Sequence, residues 1–196
     1  RGAPGAEHQV LLDGQAGEHA PAFRHEHDAE FHDLLRRAAD QVCAEFGPDG
    51  RDAVCGHPEI EVALVELARA TGERRYLDQA ALFVERRGRG LLPDIEFGRE
   101  YYQDDVPVRD AEVLRGHAVR ALYLTAAAVD VAVETGDAGL LAAARAQYER
   151  TLARRTYLTG GMGAHHQDEA YGDDFELPPD RAYCETCAGV GSVMVA

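Results

Sequence analysis

"GHPEIEVALVELARATGERRYLDQA", residues 56–80, and "GHAVRALYLTAAAVDVAVETGDAGLLAAA", residues 116–144, share one design. Each opens on Gly-His, runs through an apolar helical stretch, breaks at Thr-Gly and resumes after a short polar turn. In the first copy Ile60, Leu64 and Leu67 fall on one helical stripe. Pro58 stands where a first turn tolerates it, and Gly72 supplies the stop. "RRYLDQAALFVERRG" follows, with Leu77, Ala81 and Val84 on a face, up to Gly88. In the second copy a longer helix is expected from about Asp110 to Glu134, with Leu114, Ala118, Ala121, Thr125, Val129 and Val133 inward. Gly136 ends it and "GLLAAARAQYERTLARR" makes the next helix. Repeated hairpins stack as helix pairs. Such pairs can close into an α/α barrel whose inner helices aim their leading ends at a central cavity. The expected fold is therefore mainly α, a partial α/α barrel of helical hairpins, with His57 and His117 at one rim.

Outward from the repeat the pattern changes. "LLRRAADQVCAEF" places Leu34, Leu35, Ala38, Val42 and Phe46 on one helical face, ended by "GPDG". Residues 1–32, rich in Gly, Pro, Ala and His, read as an irregular or disordered arm. Its His25, His27 and His32 fit no common ligand spacing. Toward the other end, "YLTGGMGAHHQDEAYGDDFELPPDRAYCETC" (157–187) is a long Gly/Pro-rich loop without helical period. Loops of that length in a compact domain are usually functional.

The 196 residues carry a formal charge of -15, and every basic side chain is arginine. That balance argues against tracking nucleic-acid phosphates and against docking on anionic lipid. No apolar run approaches a membrane span and no charged-then-apolar leader is visible. The expectation is a soluble, cytoplasmic protein. Four cysteines do not make a disulfide scaffold, and Cys43 and Cys55 read as small apolar side chains.

The loop holds the residues that could carry chemistry. In "AYCETC" (182–187), an extended backbone would turn Glu185 and Cys187 the same way and Cys184 the other. A carboxylate and a thiolate suit Zn(II), although two ligands do not complete a site. The Cys184-x-x-Cys187 spacing is also open to a redox dithiol or a structural zinc half-site. Glu169 lies among His165, His166 and Asp168. It is either one more solvated acid or a carboxylic acid able to donate a proton from a partly closed cavity. His57 and His117 are either capping groups or imidazoles that hydrogen-bond sugar hydroxyls. Arg115 and Arg120 read as surface or ion-pair residues.

Three segments in order, "GHPEIEVALVELARATGERRYLDQAALFVERRG", "YYQDDVPVRDAEVLRGHAVRALYL" and "TGGMGAHHQDEAYGDDFELPPDRAYCETCAGVGSVM", resemble glycoside hydrolase family 127, the β-L-arabinofuranosidases and their relatives. The resemblance covers residues 33–196 and implies part of an (α/α)6-barrel catalytic domain, with β-sandwich domains following in full-length members. It implies retaining hydrolysis of a small carbohydrate substrate by a zinc-bound cysteine thiolate. Glu185 and Cys187 fall on the family's pair of zinc ligands, Glu169 on its acid/base, and His57 and His117 on histidines lining the sugar site. The remaining ligands and the nucleophilic cysteine are expected beyond Ala196, so this chain alone should be inactive. Residues 1–32 lack the earlier Gly-His helix of the family. Asp105 stands in "YYQDDVPV" where the family commonly has histidine. The competing expectation is a non-catalytic helical-repeat binding module with a metal clip at Glu185 and Cys187.

Overall fold

A computed structural model describes residues 29–196; His25 and His27 lie outside the described residues. The helices are α1 (Ala29–Phe46), α2 (Ile60–Thr71), α3 (Arg74–Arg86), α4 (Ala118–Thr135), α5 (Ala138–Arg154) and α6 (Thr186–Val195), with a 3-10 turn at Arg99–Tyr102. Among the described residues the only β pairings are isolated antiparallel bridges, His117 with Ala170 and Thr156 with Met162. No helix among them is long and apolar enough to cross a membrane.

The chain divides into two compact units, residues 1–41 and 42–196. Of the first, only the leading turns of α1 are described. Arg37 pairs with Asp33 there at 3.5 Å, and Leu34 and Leu35, expected on a buried face, are exposed.

The second unit is built around α4, which packs against α2, α3, α5 and α6. Eleven of its 18 residues are buried, among them Ala121, Leu122, Thr125 and Ala128. A helix apolar nearly all round must be enclosed. By contrast α5 buries one stripe, Leu140, Ala144, Gln147 and Thr151. The Thr-Gly breaks work alike in both copies of the repeat. Gly72 and Gly136 each take a left-handed φ of 72° and donate their N–H back to Ala68 and Ala132. Arg69 on α2 ties the copies together, reaching Asp130 at 2.9 Å and Glu134 at 2.8 Å on α4.

Helix α4 starts at Ala118, not at Asp110, and Val133 is exposed. The residues before it are claimed by other partners. The Leu114 N–H donates to Thr151 Oγ1 at 3.0 Å and the His117 N–H to Tyr101 O at 3.3 Å. Gly116, at φ 62°, presses so close to Glu100 that a Cβ would lie 1.9 Å from its carbonyl oxygen. The apolar period was real, but its first turn is used to build a cleft wall.

Candidate active site

Chain segments from five places meet at the leading end of α4. The turn at 99–103 comes first. Gln103, buried and left-handed at φ 55°, donates from Nε2 to Arg115 O at 2.9 Å and Tyr101 O at 3.2 Å. That clasp holds 116–118 against the turn. On the other side Ala118 N donates to Glu169 O at 2.9 Å and Tyr171 N to Gly116 O at 2.9 Å, bringing in the Gly-rich loop. The fourth segment carries His57. Buried Arg87 locks it to the turn, donating to Cys55 O and, at 3.2 Å, to Tyr102 O. The fifth, 183–187, leads into α6, which seats Ala188 in the core around Leu122 and brings Gly191 close to that leucine.

The side chains follow from these anchors. His117 is 5 % exposed, and its Nε2 lies 2.8 Å from Glu169 Oε2. Burial lowers its pKa first and the Arg120 cation second, against the opposing pull of Glu169. We therefore take the contact as a neutral imidazole N–H donating to a carboxylate. His117 Nδ1 is buried with no partner. Glu169 is held at φ 55°, unusual for a side chain with a Cβ. Oxygen or nitrogen atoms of His117, Glu169 and Glu185 all lie within 4.8 Å of one another. The Glu185 carboxyl is pushed up by burial and then by the Glu169 charge, and the nearby Cys187 thiol works the other way.

His57 is close enough for its charge to act on His117. Its pKa is lowered by burial, against the pull of Glu59, with Arg120 and Arg87 adding to the lowering. Its ring meets that of Tyr123 edge-on, centroids 6.0 Å apart. Tyr183 stands beside both acids, and the Glu169 and Glu185 charges raise its hydroxyl.

The structure brings His117, Glu169 and Glu185 within 4.8 Å of one another, with His57 near His117 and Cys187 near Glu185. It does so by a different route for the last pair. Glu185 is extended (φ -73°, ψ 152°), but Thr186 already begins α6, so Cys187 sits in a first helical turn and not on a strand. Cys184 turns away, its thiol against Gly163 O at 3.6 Å under the Gly-rich loop. Asp105 commits both oxygens to Arg115, at 2.5 and 2.9 Å, which bears out the ion-pair expectation for that arginine.

Arg120 contradicts the same expectation, because it reaches into the site. Tyr101, Tyr123 and Tyr183 went unnoticed as well. For Arg120 and Tyr123 the signal was present: His117, Arg120 and Tyr123 are spaced three apart, toward one side of a helix. Behind the loop, a cleft of about 430 Å³ is lined by Phe97, Glu100, Arg115, Asp168 and Glu176 among others. Asp168 and Ala170 face it while Glu169 turns to His117.

A carboxylate pair, an imidazole and an adjacent thiol form a donor set that Zn(II) accepts, and a cation would relieve the repulsion between Glu169 and Glu185. Comparison with known proteins gives this arrangement a context. The family model for the β-L-arabinofuranosidase GH127 catalytic domain matches residues 20–196. The non-reducing end β-L-arabinofuranosidase of Bifidobacterium longum subsp. longum is 36% identical in an alignment 185 positions long that covers 84% of this chain and 28% of that protein. Among solved structures, a GH127 β-arabinofuranosidase superposes with a TM-score of 0.78 at 42% identity, over 84% of this chain and 26% of the other. The GH127 β-L-arabinofuranosidase Ara127N-Se from Geobacillus stearothermophilus T6 gives 0.79 at 35%, over 84% and 28%. The chain thus spans 28% of the length of the curated relative it matches. It belongs to the GH127 β-L-arabinofuranosidase family, as part of its catalytic domain.

Proposed function

We propose that the protein carrying this chain is a retaining glycosidase of the zinc-thiolate type that cleaves β-L-arabinofuranosides or related sugars. The observation that carries the proposal is the convergence of His117, Glu169 and Glu185 within 4.8 Å. Cys187, in the first turn of α6, stands near Glu185 beside that group. Glu185 and Cys187 would hold zinc, completed by ligands from chain beyond Ala196. Bound zinc keeps a cysteine thiol ionised at neutral pH, which is what a sulfur nucleophile requires.

Glu169 then acts twice, as the general acid and base of a retaining reaction. It protonates the leaving oxygen, and in the second step it removes a proton from the water that releases the sugar. The His117 N–H holds one of its oxygens, at 2.8 Å, and fixes which way the carboxyl points. His117 Nδ1, buried and unpartnered, can accept from a sugar hydroxyl, and the half-buried His57 ring can donate or accept.

Glu169→Gln separates the roles. The variant should lose at least ~100-fold in turnover of an aryl β-L-arabinofuranoside while keeping its zinc by elemental analysis. Glu185→Gln should lose zinc. Loss of zinc in both would place Glu169 among the ligands instead. NMR of the first-formed sugar tests retention, and an inverted anomer would remove the thiolate nucleophile from the scheme.

A further inference from the structure

Arg120 has an unusual set of partners. In a chain with 35 acidic and 20 basic side chains, Arg115, Arg154 and Arg155 all close on carboxylates. Among the described residues Arg120 closes on none. Its Nε donates to Gly56 O at 3.0 Å and its Nη1 to the Tyr101 hydroxyl at 2.8 Å. The guanidinium lies over the rings of Tyr101 and Tyr102, at 4.8 and 5.4 Å from their centroids. A cation that gives up ion pairing for neutral acceptors and aromatic faces is held for its shape.

The shape joins two places. Arg120 leaves α4 one turn after His117, yet its first acceptor is the carbonyl of the residue before His57. Its second, Tyr101, sets a ring edge against His117, with centroids 5.3 Å apart and planes at 82°. One planar side chain therefore touches the backbone beside one imidazole and the phenol packed on the other. We propose that Arg120 is a positioning residue that sets the placement of His57 relative to His117, and with it the width of the sugar pocket. The proposal rests on the sugar-binding assignment of the two histidines and adds what determines their spacing. Lysine cannot substitute fully. Its ammonium is a point charge without the planar fork that serves diverging acceptors above an aromatic ring.

The test uses the purified protein that carries this chain, with Arg120→Lys, Arg120→Leu and Tyr101→Phe. Turnover of an aryl β-L-arabinofuranoside is followed together with NMR of the histidine ring nitrogens. Arg120→Leu should lose roughly 100-fold in kcat/KM, the scale of a misplaced binding group. Arg120→Lys should lose less, and in both the His57 and His117 ring signals should move while the rest of the spectrum stays folded. Tyr101→Phe removes only the hydroxyl and should shift the His117 ring without unfolding anything. Ring signals and kcat/KM unchanged in Arg120→Leu overturn the proposal, as does a Tyr101→Phe variant identical to the parent in both readouts. If the parent protein fails to turn over the arabinoside, the glycosidase assignment falls. The ring signals then still decide whether Arg120 sets the two imidazoles.

Discussion

Glu169 holds a left-handed backbone conformation that costs a residue with a side chain on the order of 1–3 kcal/mol. Its surroundings impose it: its carbonyl accepts from Ala118 N, and the next carbonyl, Ala170 O, accepts from Ala164 N and His165 N. Two substitutions that both discard the carboxylate separate the backbone cost from the chemistry. Glu169→Gly tolerates φ 55°, whereas the β-branched side chain of Glu169→Val does not. The valine variant should unfold at lower urea concentration, by at least about 1 kcal/mol relative to glycine, with turnover lost in both. Equal midpoints would mean that the loop relaxes to another conformation at no cost.

Glu61 and Arg87 present the same kind of tension in the interior. Both are fully buried, their nearest atoms are 3.6 Å apart, and neither Glu61 oxygen has a hydrogen-bond partner. Burial raises the Glu61 carboxyl, against the pull of Arg87. Arg87→Met leaves that carboxylate without its cation and should cost about 3–5 kcal/mol by chemical denaturation. Adding Glu61→Gln to it should recover part of the loss. A double variant no better than the single would show that the carbonyls of Cys55 and Tyr102, not the ion pair, are what Arg87 serves.

At the scale of elements, the start of α5 is the clearest electrostatic device. Asp137 accepts from Leu140 N at 2.9 Å as its N-cap and from Arg109 Nη2 at 2.7 Å. Arg109 and then the Leu140 N–H hold its carboxyl down to about 2. A carboxyl lowered on folding adds stability that is complete above its unfolded value, about 4. That stability is lost as the pH drops through about 2. Asp137→Asn should therefore flatten the dependence of the unfolding midpoint between about pH 4 and pH 2 while changing turnover little. An unchanged slope would assign the acid limb to other carboxylates, such as Asp174 beside Arg154 and Arg155.

Elements also show how far sequence reasoning reaches. The Thr-Gly stops and most of the apolar stripe of the second copy were legible, because glycine conformation and helical period are local properties. The true start of α4 was not, since it depends on Gly116 meeting Glu100 across the fold. Nor was α6, whose "TCAGVGSVMV" holds two glycines and three valines, poor helix formers. Packing makes it helical: Ala188 is fully buried, Gly191 lets the backbone approach Leu122, and Ser192 accepts from the Tyr148 hydroxyl at 3.1 Å. Arg120 escaped for the same reason, because nothing local says that its acceptors would be a carbonyl and a phenol.

On the scale of the whole molecule, the described surface is uneven. The mean hydropathy is low, -0.35, and the charge strongly negative. Yet Val190, Val193 and Met194 of α6 stand 49, 78 and 43 % exposed. Neighbouring apolar side chains on one short helix make a cohesive patch. The 196 residues produced by themselves should self-associate in sedimentation and bind a hydrophobic dye, and Val193→Glu should reduce both. A monodisperse, dye-silent chain would show that charge repulsion outweighs the patch.

The line of His117, Arg120 and Tyr123 along the leading turns of α4 restricts how this stretch can change over generations. One codon gained or lost between positions 117 and 123 would swing everything after it by about 100° around the helix axis. An imidazole, a guanidinium and a phenol that now share an outlook would then point in different directions. Changes of length there should be purged even where single replacements between the three positions are tolerated.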